Sequence, residues 1–345
     1  MAKTKQLKSQ EKFKTMIGGQ ALIEGIMMRG PDKDAVVVRG KEGLTVEVTP
    51  RKLPPEHSPL RWPLIRGIYN FFGSNIVGVK ALMRSADLSP EEGETEAPSK
   101  FDQWLEKKLG NEGFQKALVG FAVVLGLGMS VGLFFLLPMV IGGLFDRWIT
   151  SNLGINLLEG VIRMGIFFLY MYLISRMKDM RRLFSYHGAE HKTIRCYEAK
   201  LPLTVENVRR QTRLHPRCGT SFLLIVFVIS IVLFTMVGYQ GSNVALRFLS
   251  RIILLPIVAG ISYEVLKGLA HSESKIAKIL RWPGMQMQRL TTRPPTNEML
   301  EVAIVSMNVA LYGLPQGCET TPEGYTVIRD YRVTDPDYVP PEAAE

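Results

Sequence analysis

Residues 222–239, FLLIVFVISIVLFTMVGY, decide the fold class. No charge interrupts them. A helix rises ~1.5 Å per residue, so about 20 apolar residues cross a hydrocarbon core ~30 Å thick. A membrane span over 220–240 follows. Three other stretches, near 117–145, 155–175 and 246–270, meet the same requirement. The first is rich in glycine (Gly120, Gly126, Gly128, Gly132) and contains Pro138, which predicts a tilted or kinked helix with close neighbours. The second carries Arg163, and the fourth carries Arg251 and Glu264, so both face something other than lipid along part of their length. The expected fold is mainly α: a polytopic helical bundle of about four spans.

Charge sets the expected orientation. The loop at 176–219 holds eleven Lys and Arg, whereas the link after the first span holds Arg147 alone. Positively charged loops stay in the cytoplasm. Four spans then place both termini inside, which suits the basic tail at 1–15. The 345 residues carry a net charge of +10, and their mean hydropathy of +0.09 averages charged and apolar stretches that are well separated. This patterning excludes a disordered chain or a collagen. Three cysteines with no close pair exclude a disulfide scaffold. The positive charge suits anionic lipid headgroups. No nucleic-acid-binding motif is present, so a lipid bilayer rather than nucleic acid is the expected partner.

Outside the spans, GGQALIEGIMMRGP (18–31), DAVVVRG (34–40) and GLTVEVTP (43–50) alternate apolar and polar residues between turn formers. They predict a small β-rich N-terminal element on the cytoplasmic side, within 16–60. Residues 61–88 recur at helical spacing and read as an amphipathic helix lying in the membrane interface. An acidic linker follows at 89–99, then a short amphipathic helix at 101–109 leads into a membrane domain spanning 100–312. After the fourth span, residues 281–296 read as irregular and bounded by prolines. Thr296 can cap a last helix ending near Leu311, with Glu298 in its first turn. Residues 313–345 read as a disordered acidic tail.

The chemistry is concentrated in the 176–219 loop, where Tyr186-His187-Gly188-Ala189-Glu190-His191 forms an H-x-x-E-H pattern. With Ser185 as cap, a helix can run to about Ala199. His187 and His191 then leave one face, one turn apart, with Glu190 beside them. Two such imidazoles can hold a divalent metal, most simply zinc, and the carboxylate can act as general base on water. His215 and Cys218, in HPRCG, enter at the same membrane face. Glu264 lies near the cytoplasmic end of the fourth span, where a carboxylate needs a partner. The candidate metal ligands are therefore His187, His191, His215, Glu264 and Cys218, and the candidate catalytic residue is Glu190. A purely structural polar network, with Glu264 paired to an arginine and Cys218 a small buried thiol, is the competing reading. Gly18-Gly19-Gln20 matches the tripeptide of peptide-release factors, but a tight turn entering a strand accounts for it. Glu24 is near enough in sequence to reach the site.

The blocks 18–31, 186–198 (YHGAEHKTIRCYE), 203–223 (LTVENVRRQTRLHPRCGTSFL), 260–264 (GISYE) and 283–304 together resemble the bacterial YqhQ-like family. This is a domain-of-unknown-function family described as predicted metal-dependent membrane enzymes. The resemblance covers about residues 16–312. It implies a multi-pass protein of the bacterial inner membrane, and supplies neither substrate nor reaction. By position, the family's HGAEH block falls on His187–His191 and its HPRCG block on His215–Gly219.

Two functions follow as expectations. One is metal-dependent hydrolysis at the cytoplasmic membrane face, acting on a peptide, membrane-protein or lipid-linked substrate. The other is a non-enzymatic chaperone or assembly factor for membrane proteins, in which the histidines are structural. A transporter is disfavoured, since four spans with so few polar residues offer no evident path. The sequence leaves the oligomeric state open.

Overall fold

The computed structural model describes residues 15, 17–40, 43–51, 53–89, 120–145, 147–237, 244–272, 274–314 and 326–328. The N-terminal tail, the acidic linker and the short helix expected at 101–109 lie outside these residues. Among the described residues, four helices are long and apolar enough to cross a membrane: Gly120–Gly143, Leu153–Ile174, Gly219–Val237 and Ala245–Ala270. The protein is thus a mainly α, polytopic membrane protein with a small β-rich element near its N-terminus. Its contacts divide into two units, 1–90 with 171–226 and 259–345, and 91–170 with 227–258.

The first unit is built on an antiparallel sheet in the order β1 (Gly18–Leu22), β2 (Gly25–Arg29), β3 (Lys33–Arg39), β4 (Leu44–Pro50) and β5 (Thr326–Ile328). The reading of 313–345 as disordered fails at Thr326–Ile328, which pairs with Leu44–Val46 and covers the edge of β4. The alternation read from the sequence has two destinations. Ile26, Met28, Ala35, Val37, Leu44 and Val46 face one core. Leu22 and Met27 face Ala81 of α1 (Ile65–Leu88). The first core is completed by α4 (Lys178–Glu198), α5 (Val205–Arg209) and α9 (Asn297–Tyr312). Helix α9 is buried from Met299 to Ala310, with contacts on β2, β3 and α4. Its end is capped as expected: Thr296 Oγ1 accepts the Met299 N–H at 3.4 Å.

Two local expectations are corrected. Ser185 caps nothing. The helix begins earlier, at Lys178 with Asp179 in its first turn, and the Ser185 hydroxyl donates to the Arg181 carbonyl one turn back. Residues 281–291 are not irregular but belong to α8 (Lys275–Thr291), which starts at a Ser274 cap and accommodates Pro283 internally. Its buried residues Ala277, Gly284, Met287, Gln288 and Thr291 recur on one face, and that packing outweighs the lost proline hydrogen bond.

The second unit takes in α2 (Gly120–Gly143), most of α3 (Asn152–Ile174), the later part of α6 (Gly219–Val237) and the earlier part of α7 (Val244–His271). Large apolar side chains such as Phe121, Met129, Leu169 and Ile253 stand exposed there, as a lipid-facing surface requires. The kink expected near Pro138 takes the form of a π-turn at Gly132–Leu136 immediately before it.

Candidate functional site

Helix α4 carries the site, and its placement begins with a glycine. A Cβ at Gly188 would lie 2.2 Å from the Arg293 carbonyl oxygen, so only glycine lets the 291–293 backbone run this close. The Arg293 N–H then bonds the Phe184 carbonyl at 2.8 Å. The same approach brings the Thr291 carbonyl oxygen 2.8 Å from His187 Nδ1. One turn on, His191 Nδ1 is 2.5 Å from the Arg213 carbonyl oxygen. A carbonyl can only accept, so each Nδ1 donates to it and Nε2 is the ring nitrogen left for another partner. This anchoring by the second ring nitrogen is the arrangement that orients imidazoles in metal sites.

The sulfur of Cys218 stands 3.3 Å from His187 Nε2. The Thr220 N–H donates to that sulfur at 3.5 Å, and the Thr220 hydroxyl lies 3.3 Å from it. Ligand atoms of His187, His191 and Cys218 all lie within 4.8 Å of one another. Zn–N and Zn–S bonds of about 2.05 and 2.3 Å at tetrahedral angles put N and S about 3.5 Å apart, close to the 3.3 Å between Cys218 Sγ and His187 Nε2, and two imidazoles with a thiol are a donor set that zinc accepts. These three residues line a cavity of about 370 Å³, together with Glu190, His215 and the start of β1.

Glu190 is 5% exposed. Its carboxylate lies against β1, where a Cβ at Gly19 would come within 2.9 Å of it and the Gly19 N–H donates to it. Burial raises its pKa above the usual carboxylate range, opposed by His187 and by that N–H. A carboxyl tuned upward beside two imidazoles is suited to taking and returning a proton.

His215 lines the cavity, with its ring centroid 5.6 Å from that of His191, but its Nε2 is occupied elsewhere. It lies 3.5 Å from Glu198, which also pairs with Arg217. Burial pushes His215 down to about 4, against the pull of Glu198, and keeps the ring neutral. Its backbone is clasped on both sides by the Gln288 amide at 2.7 Å.

Glu264 is not brought to the cluster. Gly67 and Gly260 let α1 and α7 approach so closely that a Cβ at Gly67 would lie 2.9 Å from the Gly260 carbonyl oxygen. Arg66 thereby reaches Glu264 with both arms, one at 2.7 Å. Glu24 is likewise engaged by Arg182 and by the Tyr186 hydroxyl at 3.2 Å. Of the expected residues, then, His187, His191, Cys218 and Glu190 gather, His215 borders them, and Glu264 stands apart. Gly19, Gly188, Thr220 and Gln288 were missed as supports. The glycines offered a signal only in hindsight of the tertiary contact, because a required close approach has no local pattern.

Residues 62–312 match the family described as "Protein of unknown function (DUF1385)". Over 314 residues the chain is 35% identical to "Uncharacterized protein YqhQ" of Bacillus subtilis (strain 168), covering 88% of this chain and 94% of that protein. No solved structure matches.

Proposed function

This chain belongs to the DUF1385 family, and from the side chains gathered on its cavity and its apolar helices we propose a metal-dependent hydrolase embedded in the bacterial inner membrane. His187 and His191 through Nε2, and Cys218 through its thiolate, hold a divalent cation, zinc by donor set. The observation that carries this reading is their convergence within 4.8 Å on one cavity, with both Nδ1 protons tied to backbone carbonyls. A His₂Cys set leaves a fourth position for water or substrate.

When bound, the cation supplies a Lewis acid that polarises a carbonyl and acidifies water. Glu190 takes the proton from the attacking water and returns it to the leaving group. The Gly19 N–H and the burial by β1 hold the carboxyl in place for both roles. His215, neutral and fixed by Gln288, closes one side of the cavity. The basic residues between the second and third spans favour a cytoplasmic orientation of this face, and four spans would then bring both termini to the same side. The substrate class is a peptide, membrane protein or lipid-linked molecule reached from the bilayer. Glu190→Gln tests the reading: the variant keeps the metal and loses the ability to complement a deletion strain. Full complementation would instead favour the assembly-factor alternative.

A further inference from the structure

A second polar cluster lies inside the apolar part of the four-span unit. Glu159, Arg163, Arg247 and Arg251 are each 5% exposed or less, as is Asn156. Both carboxylate oxygens of Glu159 are taken, one by Arg247 and the other by Arg251. Arg163 is left without a carboxylate among the described residues. Its Nε–H donates to the Phe134 carbonyl at 2.8 Å. The residue four positions on from Phe134 is Pro138, which has no N–H to offer that carbonyl, and the π-turn lies across the same stretch. The Arg163 and Arg251 guanidiniums both lie over the Phe234 ring, 5.7 and 5.2 Å from its centroid. Arg163 Nη2 and Arg251 Nη1 are buried with no hydrogen-bond partner.

Among the described residues the cluster therefore holds three cations and one anion, with two guanidinium donors unused. Buried charges are retained when paired, and a guanidinium fork matches phosphate or carboxylate oxygens. Counted at ~1.5 Å per residue, Glu159 and Arg163 sit about 9 and 15 Å along the span from Leu153, and Arg247 and Arg251 about 3 and 9 Å along the span from Ala245. We infer that this unit binds a phosphate-type oxyanion between its spans, contacted by Arg163 and Arg251 and counterbalanced by Glu159. Two sources share that chemistry: the headgroup of an anionic phospholipid, and free phosphate or a phosphate ester. The inference is independent of the metal reading.

The test uses the full chain, delipidated in a neutral detergent. Native mass spectrometry and thermal denaturation are followed with added phosphatidylglycerol, with phosphatidylcholine as the neutral-lipid control. Inorganic phosphate is added separately against chloride at matched ionic strength. Saturable binding and a rise in Tm with phosphatidylglycerol alone identify a headgroup; the same with phosphate identifies a free oxyanion. Arg163→Gln weakens the effective ligand about tenfold, the loss of one charge-assisted hydrogen bond. Arg163→Lys retains part of the affinity and serves where the glutamine variant does not fold. Glu159→Gln, which removes the competing anion, tightens binding. The inference is overturned if neither ligand binds beyond its control, as would follow if a carboxylate of the chain fills the space. Unchanged binding by both Arg163 variants also overturns it.

Discussion

Cys218 Sγ lies 3.3 Å from His187 Nε2 although 31 positions separate the two residues. The contact joins the middle of α4 to the start of α6, and under the proposed function it makes Cys218 the third donor. Cys218→Ser should therefore lower zinc affinity by well over the roughly 10–100-fold typical of outer-shell changes. The cobalt-substituted protein should lose its thiolate-to-metal charge-transfer absorption in the same variant. Retention of that band would assign the thiolate to another residue.

Gly188→Ala places a Cβ 2.2 Å from a backbone oxygen that no side-chain rotation can relieve. The expected cost is about 1–3 kcal/mol of stability, the range for overpacking a filled interior. Because Arg293 and Thr291 retreat together, the His187 anchor loosens too. Thermal denaturation should show a lower Tm, and metal should bind more weakly to the folded variant.

Gly19→Ala separates positioning from catalysis. Its Cβ would meet the Glu190 carboxyl, the far end of a flexible side chain, within 2.9 Å. The fold and metal content should survive while function falls, in the same direction as Glu190→Gln but by less than the roughly 10²–10⁴-fold a lost general base costs. Equal metal content in wild type and both variants, with graded complementation, is the expected pattern.

Burial pushes the Cys196 thiol up to about 11. Iodoacetamide at pH 8 should leave Cys196 unlabelled in the native protein and label it after unfolding, as read by peptide mass spectrometry. The sign of the linkage follows. The unfolded thiol ionises near ~8.5, so the folded state loses stability as pH climbs from there toward 11, and is unaffected by this group below that window.

Glu264→Gln should leave metal content unchanged. It removes the partner of Arg66 at a partly exposed pair, so the stability loss should stay within about 1 kcal/mol. Loss of metal in this variant would return Glu264 to the ligand set.

These outcomes reflect how unevenly the sequence speaks. The spans were legible because a charge-free run such as 222–239 has no other stable use. The strands of the β element were legible from alternation between turn residues. The H-x-x-E-H turn was legible because helical spacing alone places both imidazoles. Beyond one helix, spacing says nothing about direction. Glu264 was close to the right membrane face, yet Gly67 and Gly260 deliver it to Arg66. His215 was drawn to Glu198, at the far end of the helix that carries the H-x-x-E-H turn, where nothing in the spacing marks it as a partner. Helix α8 was hidden by Pro283, whose local penalty is visible in sequence while the packing that offsets it is not. The charges at 159–163 and 247–251 were partly visible as unlikely lipid-facing residues, but their mutual pairing needed the fold.

Elemental analysis of the purified full chain tests the central claim most directly. The account predicts about one zinc per chain in wild type and in Glu190→Gln, and loss of that zinc in a folded His187→Ala protein. A wild-type protein that neither contains a divalent metal nor takes one up, or a His187→Ala protein that keeps its full complement, would contradict it.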